Sequence, residues 1–126
     1  MKKILIVEDT KSILTLLMMQ FQKSGFDVQG APDAMLGTRA CTQWRPDLVI
    51  LDLMLPAGGG IAVLRFIRQS VHTSAIPVIV LTATESPAMR KTVTDFGVYS
   101  FLTKPHDPDV LMKQVKNALL IEEGKS

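Results

Sequence analysis

Short unbroken apolar runs alternate along the chain with longer amphipathic stretches, the rhythm of strands followed by helices. Ile4 to Val7, Leu48 to Leu51 and Val78 to Leu81 are rich in β-branched residues and carry no polar alternation. That pattern predicts strands of a parallel sheet covered by helices on both faces. Phe26 to Gly30 and Tyr99 to Thr103 are less apolar and are predicted as strands nearer the sheet edges. Between them, Leu14, Leu17, Met18 and Phe21 follow helical spacing, and Gly25 sits where a left-handed C-terminal cap belongs. Ile61, Leu64, Ile67 and Val71 predict the stripe of a third helix, and Leu111, Val115, Ala118 and Leu119 that of the last. Asp107-Pro108 supplies an N-cap and a proline at the first helical position, and Phe96-Gly97 closes the preceding helix. Pro32 to Gln43 shows no clean stripe, although the alternation requires a helix there. Five strands and five helices in strict alternation predict an α/β, doubly wound (βα)5 three-layer sandwich.

In such a sheet, ligands gather outside the carboxyl ends of the strands. The first strand ends in Glu8-Asp9, the third in Asp52, the fourth in Thr82-Ala83 and the fifth in Lys104-Pro105. Four strand ends thus deliver three carboxylates, a hydroxyl and an ammonium to one rim. Crowded carboxylates resist joint ionisation unless a cation neutralises them, and hard oxygen donors favour Mg²⁺, with Mn²⁺ as the alternative. A metal beside a carboxylate, a lysine and a hydroxyl is apparatus for binding a phosphoryl group. A carboxylate is also a competent nucleophile toward phosphorus.

Composition narrows the class. The chain has 126 residues, 47% apolar and 21% charged, which suits one soluble domain. Folding at this length buries roughly two-thirds of the unfolded surface, enough for a core without staples. A single Cys41 cannot pair within the chain, and no Cys/His cluster has zinc-ligand spacing. A reducing cytoplasm is the expected location. Met1-Lys2-Lys3 followed by Ile4 to Val7 imitates a signal peptide only until Glu8-Asp9 cuts the apolar run short, and no run is long enough to span a membrane. The net charge of +2 comes from dispersed lysines and arginines, so no nucleic-acid footprint is expected.

The sequence resembles the receiver domain of two-component response regulators, chemotaxis receivers among them, over almost its whole length. The resemblance rests on Ile6-Val7-Glu8-Asp9, on Pro46 through Asp52 to Pro56 with Gly60, on Pro77 through Thr82-Ala83, and on Gly97 through Phe101 to Lys104-Pro105. It implies a flavodoxin-like five-stranded parallel sheet of order 2-1-3-4-5, with the receiver over residues 1–122 and a frayed tail over 123–126. It further implies that Asp52 is the phosphoacceptor, drawing on a sensor histidine kinase, a histidine phosphotransfer protein or a small phosphodonor. Glu8, Asp9, Asp52 and the backbone carbonyl of Met54 would hold Mg²⁺. Lys104 and the backbone at Ala83 would bind the phosphoryl oxygens. Thr82 would turn to hydrogen-bond one of them, and Phe101 would follow it inward, remodelling the surface of the fourth helix, fifth strand and fifth helix toward an output protein or effector domain. The domain would catalyse only its own phosphorylation and dephosphorylation, as a monomer or a weak phosphorylation-dependent dimer, without binding nucleic acid or membrane itself.

Plainer readings stand beside these. Asp9 alone reads as a helix N-cap, Lys104 alone as a solvated lysine, Thr82 as a β-branched strand residue and Phe101 as core. Gly58-Gly59-Gly60 reads as a turn into a helix, since it lacks a P-loop lysine, and Cys41 as a small buried hydrophobe. His106, where Phe is usual in the family, reads as a surface residue. Tyr99 is either a partner contact or an ordinary exposed aromatic. Met35 and Leu36 either form an apolar contact patch or pack under Trp44. Met54 and Thr84 stand two residues beyond Asp52 and Thr82 and cannot orient an attacking water well, so a long-lived aspartyl phosphate is expected. A flavin carrier with Thr10-Lys11-Ser12 cradling a phosphate is disfavoured by the charges of Glu8-Asp9. A degenerate receiver is disfavoured because Asp52 and Lys104 are both present. Met1 just before the first strand favours a free N-terminus, and the output lies either in protein contacts or in a domain beyond about residue 122.

Overall fold

The computed structural model describes residues 1–83 and 86–120. Along the chain run β1 (Lys3–Val7), α1 (Lys11–Lys23), β2 (Asp27–Ala31), α2 (Ala34–Gln43), β3 (Leu48–Leu51), α3 (Gly59–Gln69), β4 (Val78–Thr82), α4 (Pro87–Phe96), β5 (Ser100–Thr103) and α5 (Pro108–Ala118), with a short 3₁₀ turn at Pro56–Gly58. The strands form one parallel sheet in the order β2-β1-β3-β4-β5. This is the doubly wound flavodoxin-like sandwich that the pattern and the resemblance predict.

Strand residues point alternately to the two faces, and the apolar runs are therefore divided between two cores. Leu5, Val7, Val49, Leu51, Val78 and Val80 pack with Cys41, Val63, Leu64, Ile67 and Val93 of α2, α3 and α4. Ile4, Ile6, Leu48, Ile50, Ile79 and Leu81 pack with Leu17 and Phe21 of α1 and Leu111 and Val115 of α5. Double coverage explains why β1, β3 and β4 are apolar without alternation.

Helix ends follow their local chemistry. Gly25 adopts φ +92° just past α1, where the Phe26 N–H bonds to the Phe21 carbonyl at 3.1 Å and the Gly25 N–H to that of Gln22 at 3.0 Å. Gly97 caps α4 with φ +80°, and the Asp107 carboxylate caps α5 by accepting from the Asp109 N–H.

Several expectations shift. β2 begins at Asp27 rather than Phe26, whose ring packs edge-on against Phe21 at 6.0 Å as part of the turn. β5 begins at Ser100, leaving Tyr99 outside it. Val71 is not in the α3 stripe: α3 stops at Gln69, the Thr73 hydroxyl donates to the Ile67 carbonyl at 2.7 Å, and Val71 is left 83% exposed while Val63 fills the buried face. Asp9 is not a helix cap, since Thr10 holds that position. The missing stripe over Pro32 to Gln43 has a packing reason. α2 buries Gly37 and Cys41, small residues that let it sit close on Val7, and a Cβ on Gly37 would lie 3.1 Å from that side chain. The domain boundary at 122, the tail and Thr84 lie outside the described residues.

Candidate functional site

The carboxyl ends of β1, β3, β4 and β5 meet on one rim because the parallel register aligns them. Val7 pairs with Leu51, Leu51 with Val80, and Thr82 with Thr103. Each strand therefore hands its next residue to a common pocket. The Asp52 N–H continues the ladder to the Val7 carbonyl at 3.0 Å, and the Lys104 N–H does so to the Thr82 carbonyl at 2.7 Å.

Glu8 and Asp52 are buried, at 1% and 5% exposure, while Asp9 faces solvent. One carboxylate oxygen from each of Glu8, Asp9 and Asp52 lies within 4.8 Å of the others. The Lys104 ammonium donates to Glu8 Oε1 at 2.5 Å and to Asp52 Oδ2 at 3.2 Å. Backbone donors fix the remaining oxygens: the Thr10 N–H bonds to Glu8 Oε2 at 3.0 Å and the Met54 N–H to Asp52 Oδ1 at 2.9 Å. Burial, reinforced by the Asp52 charge, raises the Glu8 carboxyl above its ordinary range, although its bonds to Lys104 and Thr10 pull the other way. For Lys104, burial alone would lower the ammonium, but the bond to Glu8 and the charges of Asp52 and Glu8 outweigh it and raise it. The lysine is therefore a cation at neutral pH.

Three carboxylates against one ammonium give the rim a formal charge of −2. The donor set is all hard oxygen and one member opens to water, so these residues fit a small divalent cation that keeps part of its hydration. The rest of the predicted set lies close by along the chain. Thr82 is fully buried at the end of β4, Ala83 is exposed just beyond it, and the Met54 side chain is 47% exposed beside Asp52. Lys104 and Ala83 also line an apolar groove of about 710 Å³ with Ile13, Leu16, Leu17 and Pro105. Half-buried His106 lines it too, lowered by burial and by the nearby Lys104 charge.

Phe101 stands on β5 opposite Val80, half-buried at the margin of the α4-side core. Tyr99 is 48% exposed, away from the acidic pocket. Met35 does not pack under Trp44: it is 70% exposed, whereas Leu36 shares a shallow groove with Trp44 beside β2. The Thr10 and Met54 backbone donors escape a reading of residue types, although their place two residues after each buried acid is a usable signal. The guanidinium of Arg90, whose Cζ lies 4.6 Å from the Phe101 ring centroid, gives no such signal.

Comparison with known proteins agrees with this geometry. A family profile, the response regulator receiver domain, matches residues 4–116. The DNA-binding dual master transcriptional regulator RpaA of Synechocystis is 36% identical over 119 residues, covering 94% of this chain and 49% of that protein. The alkaline phosphatase synthesis transcriptional regulatory protein PhoP of Bacillus subtilis is 36% identical over 118 residues, covering 94% and 48%. The chain thus spans about half the length of these relatives. Among solved structures, Vibrio cholerae chemotaxis protein CheY4 superposes with a TM-score of 0.87 at 26% identity, covering 94% of this chain and 98% of that one. No helix among the described residues is long and apolar enough to cross a membrane. The chain belongs to the family of response regulator receiver domains, signalling modules of two-component systems.

Proposed function

We propose that this receiver takes a phosphoryl group onto Asp52 from a phosphohistidine of a sensor kinase or phosphotransfer protein, or from a small phosphodonor. The observation that carries the proposal is the buried Asp52 carboxylate held between the Met54 N–H and the Lys104 ammonium, beside two further acids. Fixing one oxygen through Met54 presents the carboxylate in a single orientation toward an incoming phosphorus. An Asp52 oxygen forms the new bond to phosphorus, and the donor nitrogen or oxygen leaves with the electron pair. Lys104, released from part of its hold on Asp52, pairs with the charge that accumulates on the phosphoryl oxygens, helped by the backbone N–H of Ala83. Glu8, Asp9, Asp52 and the Met54 carbonyl would hold Mg²⁺, which neutralises the acids and polarises the phosphoryl group. Glu8 keeps Lys104 at the pocket mouth, and Thr10 keeps Glu8 in place.

Thr82 then turns its hydroxyl to a phosphoryl oxygen, and Phe101 moves toward the space it leaves. A local charge change thereby biases a packing element of two arrangements. The altered α4-β5-α5 surface, Tyr99 included, addresses an output protein or an effector domain of the kind that the transcriptional regulators RpaA and PhoP suggest.

Intact-mass measurement after incubation with acetyl phosphate and Mg²⁺ tests the proposal. One added phosphoryl is expected in the native protein, and none with EDTA or in Asp52→Asn. Absence of uptake from both acetyl phosphate and a kinase-derived donor would refute it.

A further inference from the structure

The Phe101 ring lies at the margin of the α4-side core, against which Met89 and Phe96 of α4 and Val98 of the loop that follows also pack. The guanidinium of Arg90, one helical position beyond Met89, lies over the ring, with Cζ 4.6 Å from the ring centroid. Arg90 is exposed and Phe101 half-buried, so the guanidinium closes the ring's outer face without filling the core. We propose that Arg90 is a positioning residue that holds Phe101 outward and so sets the threshold at which this receiver switches. The inference rests on the reading of Phe101 as the moving aromatic.

A cation over a ring is attracted to its quadrupole, and that attraction ends when the ring leaves. Phe101 pairs with Val80, one step in register before Leu81 and two before Thr82. Thr82 is fully buried on this same face of the sheet whereas Arg90 is exposed, so a ring that turns toward Thr82 moves inward and leaves the guanidinium. Because the contact exists in one arrangement only, it weights the equilibrium instead of stabilising both states equally. An exposed contact of this kind is worth about a two- to fivefold factor in that equilibrium. Arg90 thus acts opposite to the phosphoryl group, and its removal lets a smaller phosphorylated fraction produce the same output.

Aromatic carbon NMR of ring-labelled phenylalanine, with Mg²⁺ and beryllofluoride as the phosphoryl probe, tests this. Movement of the Phe101 resonance in the native protein reports the switch itself. In Arg90→Met, which keeps the apolar stem, the unliganded resonance should lie further toward the switched position by about a two- to fivefold change in population, and acetyl phosphate should react correspondingly faster. Arg90→Lys should fall between. With Phe101→Leu in the background, Arg90→Met should leave the acetyl phosphate rate unchanged, which separates the ring contact from other partners of Arg90. An Arg90→Met protein with the native population and rate would overturn the proposal while a moving native ring preserved the switch reading. An effect that persisted alongside Phe101→Leu would also overturn it. A native ring that ignores beryllofluoride would remove the switch reading and the inference together.

Discussion

Gly60 is where the fold has least freedom and the site most depends on it. A Cβ at this second residue of α3 would lie 2.4 Å from the Cα and 2.6 Å from the carbonyl oxygen of Leu53, and 2.7 Å from the carbonyl oxygen of Asp52. All three are backbone atoms of the segment that carries Asp52, so no flexible side chain can yield. Carbon atoms prefer about 3.5–4.0 Å, and Gly60→Ala therefore requires the helix start and this segment to separate by about 1 Å. Two effects compete. Alanine is worth up to about 1 kcal/mol over glycine in a helix interior, and less at its first turn. Overpacking against immobile atoms costs about 1–3 kcal/mol, and rigid backbone on both sides points to the upper end. The clash wins, with a net loss of about 2 kcal/mol and a Tm lowered by roughly 6–10 °C in a domain of this size. The same displacement disturbs the Met54 N–H that orients Asp52, so phosphoryl uptake should fall about a hundredfold. Thermal unfolding and the intact-mass time course measure both. Gly97→Ala is the control: it meets nothing within 4 Å, carries only left-handed strain at φ +80°, and should lose about 1–2 kcal/mol with unchanged chemistry. A Gly60→Ala protein as stable and as reactive as the native one would refute the reasoning.

Further expectations rest on other parts of the fold. Arg68 donates to the carbonyls of Ser74, Ile76, Phe96 and Gly97, tying the strand that leads to Thr82 to the end of α4, so Arg68→Met should cost about 2–4 kcal/mol in urea unfolding. A loss under about 0.5 kcal/mol would mean that water replaces the guanidinium without penalty. Cys41 is fully buried and its thiol is pushed up to about 11, so at pH 8 only about a thousandth is thiolate and an aromatic disulfide reagent should react no faster than the protein opens. Rapid labelling under native conditions would contradict this. Met54→Asn combined with Thr84→Glu should shorten the lifetime of the aspartyl phosphate severalfold by giving the attacking water polar partners, and unchanged decay would sink that reading.

The fold was legible because double coverage writes itself into sequence: Ile4 to Val7, Leu48 to Leu51 and Val78 to Leu81 are buried on both faces and carry no polar residue. Glu8 and Asp52 were legible for a related reason, since an acid directly after such a run must lie at a strand end. What escaped depends on contacts between elements. Val71 fits the helical period, yet Thr73 turns the chain before it. α2 has no stripe because close packing on Val7 calls for Gly37 and Cys41 rather than large apolar residues. Arg90 over Phe101 depends on how α4 lies across β5, which no local pattern encodes. The acidic rim was visible as residue types, but not the assignment of Lys104 to Glu8 as well as to Asp52.

That shared lysine has an energetic consequence. Asp52 is buried within reach of two other carboxylates and shares its one ammonium with Glu8. Asn at this position keeps an oxygen for the Met54 N–H, removes one of the repelling charges, and leaves Lys104 its bond to Glu8. Asp52→Asn should accordingly be more stable than the native protein by about 1 kcal/mol in the absence of divalent cations, a few degrees in Tm. Mg²⁺ reverses the order, because a cation that binds the folded rim and not the unfolded chain adds stability with concentration, by about 2.7 kcal/mol at a hundred times its dissociation constant. The native protein should gain with Mg²⁺ and Asp52→Asn much less. Unfolding curves of both proteins with EDTA and at rising Mg²⁺ decide the matter. If Asp52→Asn is the less stable protein in EDTA, Lys104 compensates Asp52 fully and the uncompensated rim charge is not what draws the cation.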